Sequence, residues 1–179
     1  LLPYTTLFRS DPDAPKGDTL FPWQSKLFAA GNPTNLSRVA WSAAGDGTAW
    51  GASDYNDLRE KDGEKVVCLI GTAGATVATG DAGLLAFKRE SSYRINDSST
   101  GAYVTVDATV GAASALAAVT VRGRTISISQ HGIYSTDGIN PMREESERVR
   151  PLFNAARLNL AQLDLFAAGT IGDRAYFSV

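Results

Sequence analysis

Val119-Thr120-Val121-Arg122-Gly123-Arg124-Thr125-Ile126-Ser127-Ile128 is the stretch that decides the fold class. Apolar and polar residues alternate on both sides of Arg122-Gly123, the period of a half-buried β-strand. If the turn keeps register, Val119, Val121, Ile126 and Ile128 share one face. Gly123 supplies the positive φ that a tight hairpin turn wants. Downstream, Gln130-His131-Gly132 turns the chain into Ile133-Tyr134, and Asp137-Gly138 turns it again. Successive hairpins of this kind make a meander.

The same texture extends through the chain. Short runs rich in Val, Ile, Tyr, Phe and Trp, bounded by Gly, Asn, Asp and Ser, predict strands at 26–30, 38–42, 65–71, 84–88, 91–95, 102–107, 117–122, 125–129 and 132–135. Residues 11–19 are rich in Pro, Asp and Gly and read as loop. A weak internal repeat relates two of the runs. Leu85 meets Ile126, Phe87 meets Ile128 and Tyr93 meets Tyr134 at a shift of about forty residues. Arg38-Val39-Ala40-Trp41-Ser42 reads as an earlier copy, and Ala175-Tyr176-Phe177-Ser178 as a later one.

Several short strands per repeat of this length are the signature of a β-propeller, whose four-stranded blades bury their faces against their neighbours. The expected fold is therefore all-β: a propeller-like array of antiparallel meander blades. A β-sandwich with similar strand spacing is the alternative. One region departs from the pattern. Around Met142 to Arg150, Glu144 and Arg148 stand at i,i+4 and favour a helical turn. The Leu-rich stretch 155–165 fits neither period, and the two together are expected to form a short helical insertion.

The ends are expected to be abrupt. Leu1-Leu2-Pro3-Tyr4-Thr5-Thr6-Leu7-Phe8-Arg9-Ser10 resembles a translated sequencing adapter at nine of ten positions, Leu2 being the departure. Residues 1–10 are therefore expected to be non-native, and residues 11–179 to be a truncated propeller domain from assembled reads, a metagenomic fragment. At this period the chain supplies at most about four blades, at the lower limit for a closed ring.

Composition narrows the chemistry. The 179 residues carry a net charge of −2, which offers no basic footprint for nucleic acid. No stretch reaches the 18 apolar residues of a membrane helix. The single cysteine, Cys68, lies in the apolar run Val66-Val67-Cys68-Leu69-Ile70 and reads as a core residue. The single histidine, His131, reads as a turn residue, so neither a Ser-His-Asp triad nor a histidine metal cluster is expected. The acidic run from Asp54 to Glu64 is dense enough to suggest calcium, but its spacing is not that of an EF-hand and Arg59 and Lys61 interrupt it. It reads as a solvated loop. The Gly-rich loop 71–76 lacks the Gly-Lys-Ser/Thr ending of a phosphate-binding loop. Trp23, Trp41 and Trp50, with Tyr55, read as packing between blades, the other option being a stacking surface for sugars. No catalytic, cofactor or metal residue is assigned, and the expected protein is not an enzyme.

A family resemblance adds a role. Leu27-Phe28-Ala29-Ala30-Gly31-Asn32-Pro33, then Ser37-Arg38-Val39-Ala40-Trp41-Ser42 and Trp50, resembles a stretch recurrent in bacteriophage structural proteins. The likeness continues through Gly83 to Ile95, through Ser129-Gln130-His131-Gly132-Ile133-Tyr134-Ser135-Thr136-Asp137-Gly138, and through Arg148-Val149-Arg150-Pro151-Leu152-Phe153. The family is that of propeller-bearing tail or neck proteins, similar to tail-tube nozzles. Residues 54–64 and 72–82 depart from it. The resemblance implies a virion component, assembled in the host bacterial cytoplasm. It acts by docking on other tail or connector subunits, further copies of itself included, with no membrane and no sequence-specific nucleic acid. A carbohydrate-binding or glycoside-cleaving propeller is the alternative.

Overall fold

The computed structural model describes residues 14–72, 83–154, 157–158 and 160–179. Among the described residues, fourteen strands form four small antiparallel sheets, and no sheet closes on itself. The first sheet is the meander β1 (Thr19–Trp23), β2 (Lys26–Ala30), β3 (Arg38–Ala43) and β4 (Asp46–Asp57). The second is β5 (Cys68–Gly71), β6 (Leu84–Phe87), β7 (Ser92–Ile95) and β8 (Tyr103–Asp107). The third is β9 (Ala118–Val121), β10 (Arg124–Ile128), β11 (Ile133–Thr136) and β12 (Arg143–Glu144). The fourth is the hairpin β13 (Ala167–Ile171) and β14 (Arg174–Ser178). Within each sheet, strands pair in sequence order. Between sheets, the first strands are the neighbours: β1 lies beside β5, β5 beside β9, and β9 beside β13.

The hairpin read from the sequence is β9–β10, in the register that alternation required. Val119 pairs with Ile126, and Arg122 and Gly123 at the turn have φ of 50° and 76°. Arg122 takes the left-handed region although it is not glycine, because a two-residue turn with both central φ values positive matches the twist of its flanking strands. The β1–β2 turn solves the same problem with Gln24 and Ser25 at φ 47° and 61°. The repeat is real in register. Leu85 faces Arg94 across β6–β7 as Ile126 faces Ser135 across β10–β11, and Phe87 faces Ser92 as Ile128 faces Ile133. Ala175 to Ser178 is a second strand, like β6 and β10. Arg38 to Ser42 belongs to a third strand, so the counterpart of β6 in the first sheet is β2.

Two cores lie between the sheets. In the first, Phe28, Val39 and Trp41 meet Leu69, Leu84, Ala86, Tyr93 and Ile95 of the second sheet. In the other, Cys68, Leu85 and Phe87 meet Ala112, Ala113, Ala117 and Ile128. The second sheet is thus apolar on both faces, and all four residues of β6 are buried. That is why Leu84-Leu85-Ala86-Phe87 shows no alternation: a strand covered on both sides reads as a continuous apolar run. Phe28, Phe87 and Tyr93 are fully buried, and each such side chain contributes ~1.5–3 kcal/mol. The Ala-rich approach to β9 brings backbone close to β10, where Ala113 N–H donates to Ile128 C=O and Ile128 N–H to Ala117 C=O, both within 2.9 Å.

Three expectations are corrected. The i,i+4 pair Glu144–Arg148 does not make an α-helical turn; Arg143 and Glu144 are β12, and the chain beyond makes a turn closed by Val149 N–H on Ser146 C=O at 2.8 Å that leads into the 3-10 turn Arg150–Leu152. Such a pair is worth only ~0.2–0.5 kcal/mol, less than closing the fourth strand of a sheet against Tyr134 and Ser135. The Leu-rich segment has a kinked 3-10 turn, Leu160–Leu165, and no α-helix occurs among the described residues. Asp54 to Asp57 are not loop but the end of β4. Residues 1–13 and 73–82 lie outside the described residues, and with them the adapter-like segment and most of the Gly-rich loop.

The turn into the fourth strand repeats one chemical device. Asp46, Asp97 and Asp137 each fold the carboxylate back onto the N–H two residues on, those of Thr48, Ser99 and Ile139, at 2.9, 2.7 and 2.8 Å. Hydroxyl donors from Ser99 at 2.6 Å and Thr100 at 2.9 Å add to Asp97. The Ser99 hydroxyl and N–H, followed by the Thr100 hydroxyl, hold the Asp97 carboxyl down at about 2. The folded value is below the ordinary 3.8, so the turn is stabilised above that pH and loosens as pH falls through about 2. The expected result is that the carboxyl resonance of Asp97 titrates near 2, with faster amide exchange at Ser99 on the acid side; a normal titration midpoint would show that the turn is not formed.

Candidate functional site: a polar joint beside a charged cleft

Charged residues concentrate where the first two sheets meet. Lys88 follows β6 directly, and its side chain is fully buried. Its ammonium reaches both oxygens of Asp62, at 2.6 and 2.7 Å, and the Ser37 hydroxyl at 2.9 Å. It also lies 5.7 Å from the centre of the Tyr93 ring. A buried lysine survives only when its charge is met, and here three elements converge to meet it. Asp62 ends the 3-10 turn Glu60–Asp62, which is entered through Arg59 and left through Gly63, both left-handed at φ 46° and 71°. Ser37 precedes β3, and Lys88 follows β6.

Glu64 stands beside this pair, with its Oε2 3.4 Å from the Ser91 hydroxyl, which in turn lies 3.1 Å from the Tyr93 hydroxyl. Burial, then the negative charges of Asp62 and Glu90, raise the Glu64 carboxyl above its ordinary value. Glu64 opens onto a cleft of about 620 Å³ lined also by Asp18, Lys65, Arg89, Ser114 and Asp164. Most of that charge is internally matched: Lys65 pairs with Asp18, and Arg89 with Asp164 at 2.7 Å. The cleft therefore presents ion pairs rather than a field of one sign.

The residues weighed from the sequence are scattered over the fold. Trp23 and Trp41 are buried in the first core, where their rings pack around Phe28 at 5.4 and 6.0 Å. Trp50 lies opposite Ser42 on the edge strand β4, partly exposed. Tyr55, on the same strand, is covered by the Arg38 guanidinium 3.5 Å from its ring centre, and Arg38 is held there by two hydrogen bonds to Asp57 at 2.9 Å. The acidic run is taken apart in the same way, with Asp57 on Arg38 and Asp62 on Lys88. Among the described residues, no group of three or more His, Cys, Asp and Glu side chains comes together as a metal site requires. His131 is exposed at the β10–β11 turn, 3.5 Å from the Glu90 carboxylate.

Cys68 is buried in the second core, and burial pushes its thiol up to about 12. Thiolate is the reactive form. Native chain is therefore expected to react with a disulfide reagent no faster than it unfolds, with rapid reaction in denaturant; fast labelling of folded protein would show the core is open.

Lys88 was not among the residues weighed from the sequence. The only signal for it is its position one residue beyond a fully apolar run. Among the described residues no helix is long and apolar enough to cross a membrane. In comparisons with known proteins, no family model and no curated protein matches this chain.

Proposed function

We propose that this chain is a non-enzymatic structural module, an arc of β-propeller blades that serves as a tail or head–tail connector component of a bacteriophage virion. The observation that carries the reading is the repeated architecture. Three successive four-stranded meanders and a hairpin stand side by side through their first strands, which is how blades would follow one another in a propeller. The motifs that resemble phage tail proteins fall on its structural parts. Arg38 to Ser42 is β3 and lies against the first core, Leu84 to Phe87 is the strand buried on both faces, and Ile133 to Thr136 is β11. These are packing features of the fold rather than reacting groups. The module would work in the virion, built in the host cytoplasm, through docking on neighbouring tail or connector subunits.

The genes on either side of this one, read together with peptides of the chain in purified particles, test the proposal. Portal, terminase and tail genes alongside are the expected result. Neighbours for sugar metabolism would turn the reading toward a carbohydrate-binding or glycoside-cleaving propeller. One feature favours that second reading: Glu64, an acid raised by burial, opens onto a cleft that also holds Asp18 and Asp164. Against it, Trp23 and Trp41 are core residues and offer no stacking surface. Under that reading, Glu64→Gln would abolish turnover of a soluble polysaccharide while leaving the fold intact.

A further inference from the structure

Among the described residues, two buried side-chain polar atoms make no hydrogen bond, Ser92 Oγ and Arg94 Nε. Both residues belong to β7. Both stand on the face toward the third sheet, because their strand partners Phe87 and Leu85 lie in the second core. A buried donor without an acceptor is uncommon enough to need a reason. Ser92 is fully enclosed, so nothing outside the chain reaches it. Arg94 is only half-buried, so its side chain is reachable from outside.

Arg38 and Arg94 are the two half-buried arginines among the described residues, and each lies on the third strand of its sheet. Arg38 is met across its sheet by Asp57 of the fourth strand, whose carboxylate accepts from Nε and Nη2, both at 2.9 Å. Arg94 stands between Leu85 of β6 and Val104 of β8, and neither side chain accepts a hydrogen bond. The following loop of the third sheet also reaches this place, since a Cβ at Gly138 would lie 3.9 Å from Leu85 Cδ2. Its acid, Asp137, is folded onto Ile139 and Asn140 instead. Gly83 provides the seat for the arginine. A Cβ there would stand 2.5 Å from Arg94 Nε and 3.2 Å from its Cδ.

We infer that Arg94 is a receptor for a carboxylate supplied by a docking partner, an acidic side chain flanked by apolar residues. The charge calls for an anion, and the guanidinium fork matches a planar carboxylate as Arg38 matches Asp57. The surroundings call for apolar flanks. Val104, opposite Arg94, is 49% exposed, and Ile139 of the neighbouring loop is 52% exposed. A small free acid would satisfy the charge and leave both apolar residues in water. The site belongs to the second sheet, which is packed on both faces by described chain. The inference rests on the docking role proposed above and names the chemistry of one contact. Gene neighbourhood and particle peptides decide the role; the response of Arg94 decides the contact.

The test is to titrate the isotope-labelled chain with N-acetyl-Leu-Glu-Leu-amide and follow the arginine Nε–H signals by NMR. The expected result is a saturable shift of the Arg94 signal, with the Gln version of the peptide and acetate each binding about tenfold more weakly or worse. Arg94→Gln should lose the preference for Glu over Gln. Arg94→Lys should lose most of it too, because an ammonium keeps the charge without the fork. Gly83→Ala should weaken binding at unchanged net charge by displacing the guanidinium from its seat. Replacing Arg94 removes no hydrogen bond made by its Nε within the chain, so the thermal midpoint should hold. A peptide that gives no saturable shift overturns the inference. Acetate binding as tightly as the peptide overturns the partner and leaves a site for small acids. An Asp137→Asn substitution that moves the Arg94 signal as far as the peptide does would mean that the charge is met within the chain, and the inference falls.

Discussion

Replacing Asp62 by alanine is expected to destabilise the fold by about 3 kcal/mol or more, because it strands a buried ammonium. Lys88 is fully buried, with Asp62 as its only ion-pair partner among the described residues. The Ser37 hydroxyl and the Tyr93 ring would remain, and neither carries a charge to match it. The reverse change should cost less. Lys88→Met removes the charge and keeps the apolar stem, while Asp62, whose side chain is 25% exposed, can turn to water. The expected loss for Lys88→Met is about 1 kcal/mol, since replacing a buried ion by a well-packed apolar group is often nearly neutral. Urea unfolding of the two variants measures the asymmetry. Equal losses would mean that the pair is solvated in solution and that the joint between the first two sheets is looser than described.

Gly111→Ala is expected to cost a similar amount, about 3 kcal/mol, by a different mechanism. A Cβ at position 111 would lie 1.9 Å from the Lys88 carbonyl oxygen and 2.8 Å from that of Arg89. Both are backbone atoms, so no side-chain rotation relieves the overlap. The same crossing carries the Ala112 N–H bond to Lys88 C=O at 2.9 Å and the Ser127 hydroxyl bond to Gly111 C=O at 3.1 Å. Moving the segment between β8 and β9 aside would break both and lever the third sheet away from the second. A thermal midpoint well below that of the parent, with Gly169→Ala as the neutral control, is the result to look for. Position 169 is open, so a matching loss there would point to a general intolerance of substitution instead.

Strand positions were legible in the sequence because they depend on local alternation and turn chemistry. The nine runs from 26 to 135 each overlap an observed strand, with ends that agree to within three residues. The repeat relating β6–β7 to β10–β11 was legible for the same reason: the equivalent apolar residues sit at a constant spacing. Four strands escaped, β1, β4, β12 and β13, and β4 and β12 did so because their residues do not look like strands. β4, residues Asp46–Asp57, is rich in Gly, Asp and Ala and is mostly exposed, and it is held in place by β3 rather than by its own propensity. β12 is two residues long and displaced an expected helical turn only because Tyr134 and Ser135 were there to pair with it.

The polar site was the least legible part. Lys88 reads locally as the charged end of a strand, and Asp62 as one acid among many, twenty-six residues earlier. Alternation, turns and the repetition of antiparallel meanders were readable from local pattern, since those properties arise between residues close along the chain. Which faces are covered, which charges are paired, and that Trp23 and Trp41 enter the core while Trp50 stays partly exposed on an edge strand followed from the packing of the sheets. Those outcomes depend on apolar surface and charge brought together from different sheets, and no local pattern encodes the partner.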